Sequence, residues 1–375
     1  MPLNPVAAAG RKNRTAAAVI VLLIMTGLAW LAHRESGRPR VLARAEGQVT
    51  APTGQAGAVA WIEKGGSGGD RVMIARRWRG TKQATSGGEI TGVALSGRQV
   101  LVARWEEGKD GELIAVDLGG GKQRAIAVVK GRTEQIAAAD GVVAWLEERP
   151  AAIPAAPFVT AAGAVTVVRS VPEQTGQPSI VAVLEVDPLA GRTARADLLG
   201  VSGGRIYWLE HHGRGEAATS VIRRGQSTGG AAVTVVSEAG IQEAVLLDGS
   251  LAWTCDSPES ASSSYARAVK SLSLPEGTST PSLPDARGRV IGDWLRRDIQ
   301  LFGSGRTAYV QDTELLWRLG SQRGEQRVLY SGPGNVRTAA VIGDEEYMVQ
   351  QEGKRSAIAE RPLTWWARVR HLLRG

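Results

Sequence analysis

The chain has 375 residues, 43% of them hydrophobic, with 47 glycines and 16 prolines. This content of glycine and proline is too low for a low-complexity chain but suits an all-β protein with many turns. Its net charge of +8 sits at the two ends: residues 1–45 carry +6 and residues 361–375 carry +4, which leaves −2 for residues 46–360. A nucleic-acid-binding domain carries its basic excess on the folded part, so this distribution argues against a nucleic-acid partner and favours anionic lipid.

The first predicted element is an apolar helix at residues 15–32. These 18 residues carry no charge and would form a helix about 27 Å long, enough to span the hydrocarbon core of a bilayer. Trp30 would lie at headgroup level. A cleaved signal peptide is the alternative, but its apolar region is usually about 7–15 residues long. We expect an uncleaved signal-anchor helix between a basic cytoplasmic head (1–14) and a linker (33–40), with the remaining chain on the periplasmic or cell-surface side.

A short repeat organises residues 41–361. In each copy a glycine follows a strand-like stretch, and an aromatic residue or leucine comes four positions after the glycine. The spacings between successive glycines are 40, 44, 63, 45, 56 and 38 residues. The seven copies are Gly57–Trp61, Gly97–Leu101, Gly141–Trp145, Gly204–Trp208, Gly249–Trp253, Gly305–Tyr309 and Gly343–Tyr347. Each glycine fits a tight turn between antiparallel strands, and alternation along the next strand places the large residue on a buried face.

Several copies continue into a second apolar strand and turn, so that about four strands fit into 40–45 residues, the period of a propeller blade. We therefore predict an all-β chain, a β-propeller of about seven four-stranded blades, with six or eight as alternatives. The turns VDLGGGK (116–122) and VDPLAGR (186–192) are similar to turns of TolB-like and quinoprotein-like β-propellers. The resemblance implies the fold and carries no activity.

Ring closure follows from counting strands. The last copy supplies too few strands for a blade, and the strand-like residues 38–47 have no local partner. We expect the two segments to form one blade together, which removes open sheet edges. Two insertions, at 148–178 and 256–287, interrupt the repeat. Three prolines in the first exclude a regular inner strand, and we expect both insertions to be loop-like, either functional or disordered.

Few residues predict chemistry, and we expect no catalytic residue and no cofactor. An acid follows the aromatic in five copies, which indicates a structural role such as pairing with arginines between blades. The weak metal candidates are Glu210, His211 and His212, although adjacent strand residues point to opposite faces. Residues 65–69 read G-G-S-G-G and predict a hairpin tip rather than a nucleophile elbow. The single cysteine, Cys255, lies in an apolar strand and is expected to be a core residue.

The last predicted element is a basic amphipathic helix at residues 362–375. Its membrane-interface residues would be Trp365, Trp366, Arg368, Arg370 and Arg374. The alternative is a helix that packs on the propeller.

The function predicted from these features is a membrane-anchored, non-enzymatic binding or scaffolding module at the cell envelope. Its partners would be the lipid bilayer and a protein of unknown identity. The alternative is an extracytoplasmic propeller enzyme, lactonase-like or hydrolase-like, with its site in the central channel. Such sites bring acids, histidines or asparagines together, often on a metal, and the chain has only four histidines and three asparagines.

Overall fold

The structure is a computed structural model. It describes residues 20, 26–27, 39–45, 47–55, 57–66, 69–76, 80–119, 121–156, 159–173, 176–184, 186–187, 192–193, 195–212, 219–256, 267–274, 288–294, 299–312, 315–321, 325, 327–331, 337–352 and 355–364. Within these ranges there is no helix both long and apolar enough to cross a membrane. Ile20, Thr26 and Gly27 are helical, and the rest of the predicted 15–32 segment lies outside the described residues.

Seven four-stranded antiparallel sheets, here called blades 1 to 7, account for 28 of the strands. Blade 1 contains β2 (Thr53–Gln55), β3 (Ala58–Gly66), β4 (Gly69–Arg76) and β5 (Gly80–Ser86). Blade 2 contains β6 (Glu89–Ser96), β7 (Gln99–Trp105), β8 (Gly111–Asp117) and β9 (Gln123–Val129). Blade 3 contains β10 (Ile136–Ala139), β11 (Val142–Ala156), β12 (Val159–Pro172) and β13 (Ser179–Val183).

Blade 4 contains β16 (Arg195–Ser202), β17 (Arg205–His212), β18 (Thr219–Gln226) and β19 (Val233–Ala239). Blade 5 contains β20 (Ala244–Leu247), β21 (Ser250–Asp256), β22 (Arg267–Ser273) and β23 (Arg289–Trp294). Blade 6 contains β24 (Ile299–Ser304), β25 (Thr307–Asp312), β26 (Leu315–Arg318) and β27 (Arg327–Ser331). Blade 7 contains β28 (Arg337–Ile342), β29 (Glu345–Glu352), β30 (Arg355–Pro362) and β1 (Arg40–Ala45), and a two-stranded ribbon, β14 (Val186–Asp187) with β15 (Arg192–Thr193), connects blades 3 and 4.

The first strands of the blades form a closed inner ring. Each contacts the first strand of the next blade, and β28 contacts β2 to complete the circle. The predicted seven-bladed propeller is therefore confirmed.

The ring closes through the N-terminal strand. β1 pairs antiparallel with β30, with Arg40 opposite Glu360 and Ala45 opposite Ser356. Blade 7 thus takes three strands from the end of the chain and its outermost strand from the beginning. The predicted pairing of residues 38–47 with the last unit is confirmed.

The seven repeat glycines all lie in the turns between first and second strands, and all have positive φ, from 53° to 93°. In blade 3 the loop between Ala139 and Val142 consists of Asp140 (φ 54°) and Gly141 (φ 72°), a two-residue hairpin with both central residues left-handed. This turn matches the twist of the flanking strands, and glycine adopts it without steric strain.

The repeat aromatics and Leu101 are buried, as predicted, with exposures of 0% to 6%. They pack between neighbouring blades: Trp145 lies against Leu101 and Leu113 of blade 2, and Trp61 lies against Tyr347 and Ile358 of blade 7. The core of the protein is therefore a series of interfaces between blades.

The expectation of two loop-like insertions is wrong in part. Residues 148–156 belong to β11 and residues 159–172 to β12. The two strands pair with each other as far as Ala156, which lies opposite Val159. β11 is the second strand of its blade, so no proline lies in an inner strand. In the second insertion, residues 267–273 form β22, while 257–266 and 275–287 lie outside the described residues.

Candidate functional site

The ring has two distinct faces because strands alternate in direction within each blade. The seven glycine turns lie on one face, which we call the terminal face. β1 begins there at Arg40, and β30 ends there at Pro362, since the two strands are antiparallel with Arg40 opposite Glu360. The connections between second and third strands lie on the opposite face, where the inner strands begin. The two ends of the ring are therefore adjacent.

A long hairpin projects from this second face. The other second strands have six to nine residues, whereas β11 has 15. Beyond the register pair Arg149–Val165, the paired strands continue for about seven residues, which corresponds to roughly 23 Å. We call residues 150–164 the arm and this side of the ring the arm face. The ribbon β14–β15 contacts β12, the third strand of this blade, through β15.

Polar side chains meet on the arm face where the inner strands of blades 3 and 4 begin, a region that we call the channel mouth. Gln135 accepts a hydrogen bond from the Leu198 amide (2.5 Å) and donates one to Asp197 (3.2 Å). His211 contacts Asp197 through Nε2 (3.3 Å) and Ser220 through Nδ1 (3.1 Å). The Ser220 hydroxyl donates its proton to the carbonyl of Ile241, so it must accept from Nδ1.

Glu243 makes the corresponding connection between blades 5 and 6. Its Oε2 accepts a hydrogen bond from the Leu301 amide (2.6 Å), as Gln135 does from Leu198. Gln135 and Glu243 each lie six residues before a repeat glycine, so they occupy equivalent positions in their blades. A neutral amide in one blade is thus a carboxyl in the other.

The two carboxyl groups at the mouth have displaced pKa values of opposite sign. Burial alone would raise the pKa of Asp197, but the hydrogen bond from His211, the charge of Arg195 and the hydrogen bond from Gln135 hold it below its usual range. Burial and the nearby charge of Asp197 raise the pKa of Glu243 against the effect of the Leu301 hydrogen bond. Pairs of carboxyl groups whose pKa values are displaced in opposite directions are typical of acid–base sites, but they also occur in structural networks.

The three metal candidates do not come together. Glu210 contacts His212 Nε2 (3.0 Å), whereas His211 faces Asp197 and Ser220. Glu210 is buried and also accepts hydrogen bonds from Trp208 Nε1 (2.6 Å) and Arg223 Nε (3.0 Å). Among the described residues, no three His, Cys, Asp or Glu side chains are grouped as metal ligands would be.

The acids of the repeat have the structural role expected of them, with one correction. Glu63 accepts from Trp61 Nε1 (3.3 Å) and pairs with Arg71 (2.9 Å), and Glu210 does the same with Trp208 and Arg223. These ion pairs join the second and third strands of one blade rather than two blades, because the acid and the arginine lie on directly opposed strands. In blade 5, by contrast, Trp253 donates to Glu238 of blade 4 (3.0 Å).

Two other sequence expectations are also confirmed. Cys255 is fully buried, and burial, with the charge of Glu238 second, raises the pKa of its thiol to about 12. A thiol with such a pKa is not a nucleophile at neutral pH. Gly65, Gly66 and Gly69 lie where β3 turns into β4, which is a hairpin and not a strand-to-helix elbow.

A cavity of about 390 Å³ lies on the terminal face between blades 7 and 1. Its lining includes Arg40, Arg76 and three buried residues, Glu345, Tyr347 and Glu360. The Tyr347 hydroxyl donates to Glu345 (2.9 Å). The cavity thus has an acidic interior and arginines among its lining residues.

The predicted membrane-interface residues, Trp30, Trp365, Trp366, Arg368, Arg370 and Arg374, lie outside the described residues. The predicted helix at 362–375 begins differently from the expectation: Pro362 ends β30, Leu363 is buried, and Thr364 donates to Asp344 (3.0 Å). The chain is therefore held against blade 7 up to Thr364.

Sequence reasoning did not find the network at the channel mouth. Gln135, Asp197 and Glu243 come from three different repeat units and form no local motif. The available signal was the equivalent spacing of Gln135 and Glu243 from their repeat glycines, which marks the start of an inner strand.

No family model and no curated protein matches the chain. Solved structures of similar fold include an oligogalacturonate lyase in complex with manganese, with a TM-score of 0.57, 11% identity, and coverage of 83% of this chain and 87% of that one. The acylaminoacyl peptidase of Pyrococcus horikoshii has a TM-score of 0.56 and 13% identity; the match covers 84% of this chain but only 52% of the peptidase. The β-propeller domain of the Trilobed protease from Pyrococcus furiosus has a TM-score of 0.52, 10% identity, and coverage of 84% and 97%. At these identities the likenesses establish that this chain is a β-propeller and leave its activity open.

Proposed function

We propose that the protein is a non-enzymatic binding or scaffolding module, tethered to a membrane by residues 15–32, that presents its arm face to a protein partner on the extracytoplasmic side. The observation that carries the proposal is the opposition of the two faces. Both ends of the ring leave the terminal face, and the arm extends about 23 Å from the other. A tether at one face leaves the arm face free for a partner.

The chemistry of the arm face supports a partner with cationic groups. Asp197 and Glu243 place two carboxyl groups at the channel mouth, where Arg195 is the neighbouring cation (3.6 Å from Asp197). Complementary charge steers encounter and fixes the orientation of a partner.

The arm tests this proposal directly. Replacing residues 150–164 by Asn-Gly would connect the opposed residues Arg149 and Val165 through a two-residue turn and leave the blade intact. A photo-crosslinking residue at exposed Glu134, on the arm face, should give a discrete protein adduct in native membranes, and shortening the arm should abolish it. The same residue at Asp248, in a glycine turn of the terminal face, is the matched control. Equal adducts with and without the arm would refute the proposal.

The tether is tested separately. The chain should resist extraction from membranes by alkaline carbonate, and its N-terminus should be intact on sequencing. A mature chain that begins at Trp30 would show cleavage and overturn the anchor.

An enzymatic function is the second candidate, and the opposite pKa displacements of Asp197 and Glu243 favour it. If the mouth is a lactonase-like or hydrolase-like site, a chromogenic lactone or ester should be hydrolysed by the parent. The variants Glu243→Gln and Asp197→Asn should lose that activity while remaining folded, as judged by circular dichroism. Turnover that is unchanged in both variants would exclude the mouth as the site.

A further inference from the structure

The terminal face carries a concentration of basic residues beside the two ends of the ring. We call Arg40, Arg76, Lys82, Arg98 and Lys122 the basic sector; four of them are exposed, and Arg76 is half-buried. They come from blade 7, blade 1 and blade 2.

Direct contacts make this sector continuous. Arg76 donates to the Leu118 carbonyl (3.1 Å), and the Leu118 amide donates to the Arg98 carbonyl (2.8 Å). Arg40 and Arg76 line the same cavity. The Thr81 hydroxyl donates to the carbonyl of Leu42 (3.3 Å), which joins blade 1 to β1.

The acids of the same region do not neutralise its outer surface. Glu345 and Glu360 are buried. Exposed Asp117 and half-buried Asp344 each accept a hydrogen bond from a neutral donor, the Gly119 amide (2.7 Å) and the Thr364 hydroxyl (3.0 Å). At the surface the five basic residues of the sector therefore outnumber the two acids. The described turns of blades 3 to 5 on this face carry the acids Asp140, Glu173 and Asp248. Exposed arginines continue the basic surface in blades 5 and 6, at Arg289, Arg306, Arg318 and Arg327.

We propose that the basic sector docks on the anionic headgroups of the membrane that anchors the chain. This inference rests on the proposed anchorage by residues 15–32. Only seven residues, 33–39, separate that segment from Arg40, and an extended chain crosses that interval in roughly 28 Å at most. The terminal face therefore cannot move far from the bilayer, and a surface so held meets lipid before any other polyanion.

Docking through this sector would direct the arm face away from the membrane. Each basic residue near an anionic surface favours contact by about fivefold, so two of them contribute about 25-fold to the docking equilibrium. Salt weakens this contribution because exposed charges are screened.

The test uses the full chain in lipid nanodiscs. Cys255 is buried, so a fluorophore can be attached to a single introduced thiol, Thr81→Cys in the sector or Glu107→Cys on the arm face as control. Energy transfer to a lipid-borne acceptor should be higher for the Thr81 position in phosphatidylcholine discs that contain phosphatidylglycerol than in pure phosphatidylcholine discs. The Glu107 position should show little transfer in either disc.

Charge reversal identifies the residues responsible. Arg98→Glu with Lys122→Glu should lower the docking equilibrium by at least about 25-fold, so that the difference between the two discs disappears. The matched control is Lys109→Glu with Lys130→Glu, which reverses two exposed lysines on the arm face and should leave the difference intact. If the glutamate variant fails to fold, two other measurements replace it. They are the double variant Arg98→Gln with Lys122→Gln and a salt titration of the parent.

Each outcome decides one point. A chain that does not stay in the discs after a carbonate wash refutes the proposed anchorage, not the sector. A chain that stays but shows equal transfer in both discs overturns the docking proposal. An equal loss of energy transfer in the arm-face control would also overturn the proposal, because it would indicate an effect of net charge alone. Displacement of the terminal face from the membrane by inorganic phosphate at constant ionic strength would overturn it as well, because it would indicate a small-anion site.

Discussion

The strongest energetic prediction concerns Glu210, the buried acid of blade 4. Its Oε1 accepts from Trp208 (2.6 Å), and its Oε2 accepts from Arg223 and His212 (3.0 Å each). In Glu210→Gln only one oxygen remains, and the amide nitrogen must face a donor whichever way it is turned. Breaking a buried ion pair from one side costs about 3–5 kcal/mol, and Arg223, which is 27% exposed, places the expected loss toward the lower end.

The matched control is Glu112→Gln, which removes the exposed ion pair with Arg104 (3.2 Å; Glu112 is 48% exposed). Exposed pairs contribute about 0–1 kcal/mol. For a ring of this size, 1 kcal/mol corresponds to roughly 1.5 °C in melting temperature, extrapolated from smaller domains. We expect Glu210→Gln to melt about 4–6 °C below the parent and Glu112→Gln within about 2 °C, measured by circular dichroism. Equal shifts in the two variants would refute the role assigned to burial.

Three further predictions follow from the core, the thiol and the channel mouth. Trp145→Ala should destabilise the fold by about 3–5 kcal/mol and Leu101→Ala by about 2–5 kcal/mol in denaturant titrations, because both side chains are buried between blades 2 and 3. Losses below about 1 kcal/mol would contradict this packing. Cys255 should resist iodoacetamide at pH 8 in the folded protein and react after denaturation, since its pKa is near 12; labelling of the native protein would show an open core. Glu243→Gln should melt at a higher temperature than the parent at pH 7, and this gain in melting temperature should vanish below about pH 4.5. The reason is that a carboxyl with a raised pKa stabilises the fold when it is protonated and loses that contribution as the pH rises. A gain in melting temperature that persists in acid would indicate a packing effect instead.

The ring itself could be predicted from the sequence because its signal is local and repeated. In each unit a glycine predicts one turn, and the large residue four positions later predicts one buried position. Gly141 and Trp145 show both features in the structure. Closure through β1 was predictable for a different reason. A strand without a partner is unstable at a sheet edge, so counting strands at the two ends was sufficient.

The arm was missed because its prolines were read as signs of a loop. β11 pairs with β10 only from Val142 to Trp145, and β12 pairs with β13 only from Val167 to Ser170. Beyond those pairs, no strand among the described residues pairs with the outer edge of either arm strand. A proline nitrogen needs no hydrogen-bond partner there, so Pro150 and Pro154 are compatible with a two-stranded ladder. The rule against proline applies to strands that are paired on both sides.

The channel mouth shows why the sequence alone could not assign a function. Gln135 and Glu243 make the same hydrogen bond to the next inner strand, so a neutral amide is sufficient for the structural task. A carboxyl at that position has its pKa raised by burial and, to a smaller extent, by the charge of Asp197. It therefore makes folding less favourable at neutral pH without improving the connection between blades. Carboxyl groups with displaced pKa values occur at functional sites as well as in structural networks, which makes Glu243 the carboxyl to test for a role in binding or catalysis. Glu243 is therefore the residue at which the two candidate functions separate: loss of the crosslinked partner in Glu243→Gln would identify it as part of a binding surface, and loss of turnover would identify it as an acid.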